Sequence, residues 1–212
     1  MIRGLIGLAL MAAPAWADAP VRVVSINLCT DQLAMLVAAP GQLASVSYLA
    51  QDPVSSAMAR EAEAYPTNRG QAEDILALQP DLVLAGTYSS PATLDMLDRL
   101  GLRVATFDMG TDLDSIRTNL RLMGDVLGRR DRADLIVAQF DRGLAALQAE
   151  PRPDRRAALY GANGYSSGQD SLAGAILAAA SLTNVATELG LSQGGFVPLE
   201  DLVMADPDLI VT

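Results

Sequence analysis

The chain has 212 residues, no histidine, one cysteine and a formal net charge of −10. An acidic chain is a poor partner for nucleic acid or an anionic membrane, and a single cysteine cannot form an internal disulfide. The lack of histidine removes the usual general base and the most common zinc ligand. Because hydrophobic residues make up 50 % of the chain, we expect a folded globular protein.

The first residues have the pattern of an export signal. Arg3 provides a positive charge, residues 5–13 form a short uncharged apolar run, and Ala15-Trp16-Ala17 fits a cleavage site. The alternative, a membrane anchor, needs about 20 apolar residues. We therefore predict a signal peptide over residues 1–17 and a mature, exported chain that begins at Asp18.

Strands and helices alternate in the first half of the mature chain. Thr30 or Asp31 is predicted to cap the first helix, and Cys29, in the turn before it, is expected to be a small buried side chain, with lipid attachment as the alternative. The alternation predicts a parallel sheet with right-handed crossovers. The predicted strands are residues 21–26, 42–47, 81–85 and 104–107; the predicted helices are residues 30–38, 53–64, 72–78 and 91–100; residues 65–70 are predicted to be a loop.

Two longer helices follow. Thr111-Asp112-Leu113-Asp114 resembles a capping box and is predicted to begin a helix. Gly128 is predicted to end this helix. The next helix, over residues 131–150, would be about 28 Å long. A strand over residues 155–160 then resumes the alternation. We predict an N-terminal lobe over residues 18–127, a linking segment over 128–153 and a C-terminal lobe over 154–212, with one domain covered by the long helix as the alternative.

One sequence segment, predicted to form a short helix, a proline turn and a strand, occurs twice. EDILALQPDLVLA begins at residue 73 and EDLVMADPDLIVT begins at residue 200, so the copies lie 127 residues apart. This distance suits a duplicated lobe better than a solenoid repeat, and two facing lobes form a cleft for a ligand. Glu73 and Glu200 begin the two predicted helices. Each glutamate either stabilises its helix N-terminus or pairs with an arginine of a partner.

Taken together, these segments resemble the periplasmic binding proteins of ABC importers with a rigid helical backbone, the group that includes binders of vitamin B12, ferric siderophores and haem. The resemblance covers residues 21–212. It is carried, in order, by VVSINLCTDQLAMLVA, SVSYLAQD, AEDILALQPDLVLAG, the long helix, GYSSGQDSLAGAIL and VPLEDLVMADPDLIVT. It implies an α/β fold of two Rossmann-like lobes joined by a long rigid helix, with the ligand cleft between them. In that family another strand and helices would follow Thr212, so we expect an incomplete C-terminal lobe.

The resemblance also implies which residues act. Glu73 and Glu200 would dock on arginines of an ABC permease dimer in the inner membrane. The chain would be a periplasmic monomer that captures a metal chelate, either a ferric siderophore or haem, with cobalamin as the alternative; it would not be an enzyme and would hold no cofactor or metal of its own. Arg69 could instead be a solvated loop residue, and each aromatic candidate could instead be a core residue. The residues expected to line the cleft are Asn27, Leu28, Cys29, Thr30, Tyr48, Arg69, Tyr88, Tyr165 and Phe196.

Three other functions fit the sequence less well. Residues 164–168 spell G-x-S-x-G, the nucleophile elbow of hydrolases, but the chain has no histidine for a triad. We expect this segment to be a cleft loop before a helix that Asp170 or Ser171 caps. Sites for bare zinc or manganese normally need histidine. A nucleotide-dependent enzyme would need a glycine-rich phosphate loop after a strand, and none is found.

Overall fold

The computed structural model describes residues 19–150 and 153–212. The predicted signal peptide, residues 1–17, lies outside the described residues, as do two residues of the predicted linking segment, 151–152. Within the described ranges, no helix combines the length and the apolar character that crossing a membrane requires.

The first lobe is built around a five-stranded sheet. Its strands are β1 (Val23–Ser25), β2 (Leu43–Ser47), β3 (Thr67–Asn68), β4 (Leu82–Gly86) and β5 (Val104–Phe107). The strand order is β3-β2-β1-β4-β5, and every neighbouring pair is parallel. Helices connect the strands: α1 (Leu28–Val37), α2 (Ala59–Ala62), α3 (Ala72–Ala77) and α4 (Pro91–Arg99). The predicted α/β class and parallel pairing are confirmed.

Side chains from both faces of this sheet are buried. Val23 points into one hydrophobic cluster and its neighbour Val24 into another, because successive side chains of a strand point to opposite faces. In the second cluster, Val24 packs with Ile75 and Leu97 from the helices on that face. Burial on both faces explains why these strands are continuous aliphatic runs.

A helical hairpin follows the sheet. It consists of α5 (Leu113–Leu127) and α6 (Arg130–Ala149). Gly128 ends α5 as predicted, with a left-handed φ of 67°. The two helices are joined by ion pairs, among them one of 2.7 Å between Arg117 Nε and Asp141 Oδ1. Only Ala133 and Val137 of α6 are buried, both in its first half. Further along the helix, Phe140 and Asp141 contact Arg117 of α5.

The second lobe has two small sheets. Strands β6 (Arg155–Leu159), β8 (Leu182–Asn184) and β10 (Leu209–Val211) form a parallel sheet in the order β10-β6-β8. Strands β7 (Tyr165–Ser167) and β9 (Gly194–Phe196) form an antiparallel ribbon. The helices are α7 (Leu172–Ala179), α8 (Val185–Glu188) and α9 (Leu199–Ala205). A separate hydrophobic cluster that includes Val185, Val197 and Leu202 forms the core of this lobe.

The two copies of the repeat lie in different sheets. The first copy is α3 followed by β4, and the second is α9 followed by β10. In each copy, an aspartate before the strand also accepts a backbone hydrogen bond from the neighbouring segment. The Asp81 carboxylate accepts the Arg22 N–H at 3.0 Å beside β1, and the Asp208 carboxylate accepts the Arg156 N–H at 2.7 Å in β6. The chain therefore has two lobes of related construction joined through α6, and a single continuous sheet is excluded.

Several predicted boundaries were wrong for local reasons. Asn27, not Thr30 or Asp31, caps α1. The helix predicted over residues 53–64 is reduced to α2, because the Asp52 carboxylate accepts hydrogen bonds from Val54 and Ser55 and holds a turn there.

Two other differences concern pairing and capping. The loop predicted over residues 65–70 contains β3, which pairs with β2. The capping box of α5 is formed by Asp112 and Ser115, not by Thr111 and Asp114, because the Asp112 carboxylate accepts the Ser115 N–H at 2.7 Å.

Candidate functional site

The candidate residues of the first lobe lie along one edge of its sheet. Asn27 follows β1, Tyr48 follows β2, Arg69 follows β3 and Tyr88 follows β4. Because all these strands are parallel, their carboxyl ends meet at the same edge, where open α/β sheets bind ligands. The strand order places Arg69 and Tyr48 next to each other, then Asn27, then Tyr88.

Tyr48 and Arg69 share a surface depression of about 760 Å³. The Arg69 N–H donates to the Asp74 carboxylate at 3.3 Å, which holds the backbone of the turn before α3. The Arg69 side chain is exposed and makes no ion pair with the described residues. Tyr48 and the unpaired Arg69 therefore line the same depression. The other lining residues are Thr67, Asn68, Gln71, Asp74, Ala77 and Leu78.

The turn from Asn27 to Thr30 presents only part of what the sequence predicted. Asn27 caps the start of α1, because its Oδ1 accepts the Cys29 N–H at 3.0 Å. Cys29 is exposed, so its expected burial was wrong. Leu28 is half-buried against the core of the first lobe.

Thr30 requires a correction. It is 0 % exposed, and its hydroxyl donates to the Asn27 carbonyl at 2.9 Å and lies 2.8 Å from the Ser25 hydroxyl. A ligand at the surface cannot contact this side chain. Thr30 therefore supports the turn from within and does not line the candidate site.

Asn27 and Gly86 approach each other closely. A Cβ atom built on Gly86 would lie 2.8 Å from the Asn27 Nδ2 and 2.9 Å from its Cγ. The absence of a side chain at Gly86 leaves room for the Asn27 amide in its present position. Tyr88, two residues further along, is strongly exposed, so its ring is open to solvent at the same edge.

Two aromatic candidates of the second lobe lie together. Tyr165 in β7 and Phe196 in β9 are directly opposite each other in the antiparallel ribbon. Their rings pack edge to face, with centroids 5.7 Å apart. Tyr165 is 45 % exposed and Phe196 is 72 % exposed, so the pair forms an apolar surface and not a core contact.

The ribbon also shows whether the G-x-S-x-G segment forms a nucleophile elbow. Ser166 of the G-x-S-x-G segment lies within β7, is 3 % exposed and pairs with Gly195. A nucleophile elbow needs its serine exposed in a sharp turn from a strand to a helix. The predicted helix does follow, and Ser171 caps it by accepting the Gly174 N–H at 3.1 Å. The segment is thus a paired strand and not an elbow.

Glu73 and Glu200 take equivalent positions. Each is the second residue of its short helix, in α3 and in α9, and each is exposed. Neither carboxylate forms a hydrogen bond or an ion pair with any residue that the structure describes. Both are therefore available to a cationic partner.

A larger depression, of about 1010 Å³, lies at the opposite edge of the first sheet. Its lining includes Pro20, which precedes β1, and Arg103, which precedes β5. None of the candidate residues lines it. Size alone therefore does not identify the site in this chain.

Sequence reasoning did not select two buried polar residues at the candidate edge, Asp31 and Asn68. Burial raises the pKa of the Asp31 carboxyl above its ordinary value, while hydrogen bonds from Ser25 and Ser47 oppose this shift. Asn68 was assigned to a loop and is a buried member of β3. A carboxylate in the apolar run LCTDQLAMLV was the available signal for Asp31.

Comparison with known proteins gives consistent results. A family model described as periplasmic binding protein matches residues 23–212. A cobalamin-binding protein of Halobacterium salinarum is 28 % identical over 145 residues, which are 66 % of this chain and 39 % of that protein. A vitamin B12-binding protein of Yersinia pestis is 30 % identical over 150 residues, which are 68 % of this chain and 52 % of that protein. This chain spans about half the length of the curated relatives that it matches.

The fold is also found in solved structures. A periplasmic haem-binding protein from Pseudomonas aeruginosa superimposes with a TM-score of 0.70 and 25 % identity, covering 90 % of this chain and 71 % of that one. The sequence match and the two-lobed α/β architecture agree with each other. Because the family match extends over residues 23–212, the chain belongs to the periplasmic binding protein family.

Proposed function

We propose that this chain is the substrate-binding component of an ABC importer and that it captures an iron complex, a ferric siderophore or haem, in the periplasm. The ligand would lie between a first lobe over residues 18–127 and a second lobe over residues 154–212, with residues 128–153 as the link. The chain would act as a monomer and without catalysis, as a family of binding proteins leads us to expect.

This proposal rests on one observation: Tyr48 and Arg69 line the same depression. Tyrosine offers a flat apolar ring with a polar tip, and arginine binds carboxylates through two parallel hydrogen bonds. Together they suit a ligand with apolar surface and acidic groups, such as haem or an anionic ferric siderophore. The exposed Tyr165–Phe196 pair offers a second apolar surface in the other lobe.

The metal would arrive inside its own chelator. The chain has no histidine. Among residues 19–150 and 153–212, no group of three or more cysteine, aspartate or glutamate side chains is placed to hold an ion. The binding residues proposed for the first lobe are Asn27, Leu28, Cys29, Tyr48, Arg69 and Tyr88, with Thr30 as internal support.

Cobalamin is the second candidate, because the relatives from Halobacterium salinarum and Yersinia pestis are named for binding it. A corrinoid carries mostly neutral amide groups and would depend less on Arg69. The haem-binding protein from Pseudomonas aeruginosa favours the first candidate. The two candidates therefore differ in how much their binding should depend on one guanidinium.

Glu73 and Glu200 would dock the loaded protein on the permease. Their unpaired carboxylates occupy equivalent places in the two lobes, so a two-fold symmetric permease could offer an arginine to each. This arrangement would separate the docking surface from the ligand site. Loss of docking should therefore leave ligand binding intact.

A thermal-shift comparison tests the ligand class. The full mature chain would be heated alone and with haemin, cyanocobalamin or a ferric hydroxamate siderophore. A specific ligand at 100 times its Kd adds about 2.7 kcal/mol, which raises the Tm by roughly 5–10 °C for a chain of this size. Mass spectrometry of the recovered ligand should show it unchanged. No shift with any of the three compounds would overturn the proposal.

A further inference from the structure

A network of buried polar side chains lies beneath the candidate edge of the first lobe. Asp31, in the first turn of α1, is 0 % exposed and accepts the Ser47 N–H at 3.1 Å through Oδ1 and the Ser47 hydroxyl through Oδ2. Ser47 ends β2 and directly precedes Tyr48. Asp31 therefore ties the start of α1 to the strand end from which Tyr48 projects.

Asn68 makes the corresponding connection for Arg69. It is 4 % exposed, and the two N–H groups of its Nδ2 are shared among three acceptors: the Ser25 carbonyl at 2.9 Å, the Ser45 hydroxyl at 2.9 Å and the Val46 carbonyl at 3.0 Å. Its Oδ1 accepts the Gly70 N–H at 3.0 Å. One side chain thus joins β1 and β2 to the turn that carries Arg69.

The two parts of the network meet at Ser25, because its carbonyl accepts from Asn68 and its hydroxyl is a hydrogen-bond partner of the Asp31 carboxyl. The Ser25 hydroxyl lies 2.8 Å from the Thr30 hydroxyl, which in turn donates to the Asn27 carbonyl. The turn at Asn27, the end of β2 before Tyr48 and the turn at Arg69 are consequently held by one set of buried hydrogen bonds. No polar side-chain atom that is fully buried in the described chain lacks a partner.

Hydrophobic packing does not account for this network. Burial of the Asp31 carboxylate is unfavourable, as the raised pKa of this group indicates. Well-packed apolar residues of similar volume usually stabilise a core as well or better. Buried polar groups that are fully hydrogen-bonded do, however, specify one geometry and rigidify it.

We infer that Asp31 and Asn68 are positioning residues, which set the relative placement of the loops that carry Asn27, Tyr48 and Arg69. This inference deepens and rests on the proposed function, since those loops are the ones proposed to contact the ligand. Neither Asp31 nor Asn68 would touch the ligand itself.

The chain offers a matched control at the opposite edge of the same sheet. Gln42 is 7 % exposed, and its amide donates to the Pro20 and Leu127 carbonyls at 2.7 and 2.9 Å and accepts the Ala39 N–H at 2.9 Å. It therefore resembles Asn68 in burial and in bonding. It lies at the amino edge, where none of the candidate binding residues is found.

The first experiment is amide hydrogen exchange of the full mature chain without ligand, for Asp31→Leu, Asn68→Leu and Gln42→Leu. All three variants should lower the Tm, because replacing only one partner leaves the other buried polar groups without a hydrogen bond. Only the first two should speed exchange, by about tenfold, in peptides that cover residues 27–30, 48–51 and 69–71, because an opening free energy that falls by 1.4 kcal/mol changes the exchange rate tenfold. Asp31→Asn keeps an acceptor for Ser47, so these peptides should exchange as slowly in this variant as in the wild-type chain.

Two outcomes would overturn the positioning role. One is unchanged exchange in these loops when Asp31 or Asn68 is replaced. The other is an equal increase in Gln42→Leu, which would mean that any loss of stability loosens the loops. If a leucine variant does not fold, the alanine variant at the same position is measured against Gln42→Ala.

A second measurement connects the network to binding. Haemin is titrated by absorbance and cyanocobalamin by equilibrium dialysis. For whichever probe binds the wild-type chain, the Kd should rise about tenfold in Asn68→Leu and stay unchanged in Gln42→Leu. If the wild-type chain binds neither probe and also shows no thermal shift with the ferric hydroxamate siderophore, the proposed function fails, while hydrogen exchange still decides the positioning role.

Discussion

Gln79 and Asp206 have the same strained backbone at the same place in the two copies of the repeat. Their φ angles are 48° and 46°, and each lies between a short helix and a proline that precedes a strand. A left-handed conformation costs a residue with a side chain about 1 kcal/mol, and glycine avoids this cost. The turn from helix to strand imposes the conformation in both lobes, whichever residue occupies it.

Gln79→Gly should therefore stabilise the chain by roughly 0.5–1 kcal/mol, measured by urea unfolding. Its control is Leu78→Gly, because Leu78 has an ordinary helical backbone with φ of −81°. Glycine at position 78 should destabilise the chain. If both substitutions destabilise by the same amount, the left-handed turn is not strained.

The aromatic pair of the second lobe should contribute to ligand binding. Tyr165→Ala and Phe196→Ala each remove an exposed ring that would contact the apolar surface of the ligand. We expect each change to weaken haemin binding by about 1–2 kcal/mol, or roughly 5- to 30-fold in Kd. Leu135→Ala, an exposed apolar residue on α6, is the control and should leave the Kd unchanged.

Arg69→Gln should weaken binding of an anionic ligand and make binding less sensitive to salt, because it removes an unpaired guanidinium beside Tyr48. Arg103→Gln is a matched control. Arg103 is likewise exposed and without an ion pair in the described chain, but it lies at the opposite edge of the sheet. Titrations of haemin at low and high salt compare the two variants. Equal effects of both changes would indicate a general charge effect and not a contact.

Reversing the charge of the two carboxylates proposed to dock on the permease should stop transport without affecting ligand capture. In Glu73→Arg/Glu200→Arg, uptake by cells should fall strongly while the Kd for the same compound stays the same. Glu61→Arg/Glu63→Arg carries an equal change of charge on exposed residues of the first lobe and should support normal uptake. Loss of ligand binding in the first variant would show that the two glutamates are not a docking surface.

Asp31 should make the stability of the chain depend on pH in a specific direction. Burial raises its folded pKa above the ordinary value of 3.8, so the folded state holds this proton more tightly than the unfolded state does. Its favourable contribution is therefore present below pH 3.8 and is lost as the pH rises through the folded pKa. The loss is about 1.4 kcal/mol for each pH unit between the two pKa values.

Urea unfolding of the wild-type chain and of Asp31→Asn, from below pH 3.8 to above the folded pKa of Asp31, isolates the contribution of Asp31 to stability. The asparagine variant cannot ionise, so its stability relative to wild type should increase with pH and then level off. Subtracting the variant removes the opposite contributions of Asp52, Asp112 and Glu188, whose pKa values are lowered by hydrogen bonds. A difference that does not change with pH would contradict the prediction.

The candidate site was only partly predictable. The sequence pattern placed Tyr48 and Tyr88 after predicted strands but Arg69 in a predicted loop. The structure shows that Arg69 follows β3, and parallel pairing brings all three residues to one edge. Position after a strand does not reveal burial, however. Thr30 and Cys29 are adjacent, yet Thr30 points into the core and Cys29 into solvent, because they lie on different faces of α1.

The amino-acid sequence by itself determined the elements that depend on neighbouring residues. Alternating aliphatic runs, Gly128 after α5 and the repeated helix-proline-strand unit specify two α/β lobes joined by a long helix, since hydrophobic period and backbone preference act over a few residues. Only the tertiary structure decided which distant segments meet. Phe196 lies opposite Tyr165, Ser166 is paired within a strand, and Asn68 in β3 reaches Ser25 in β1 across β2. Such contacts depend on strand pairing between segments far apart in the chain.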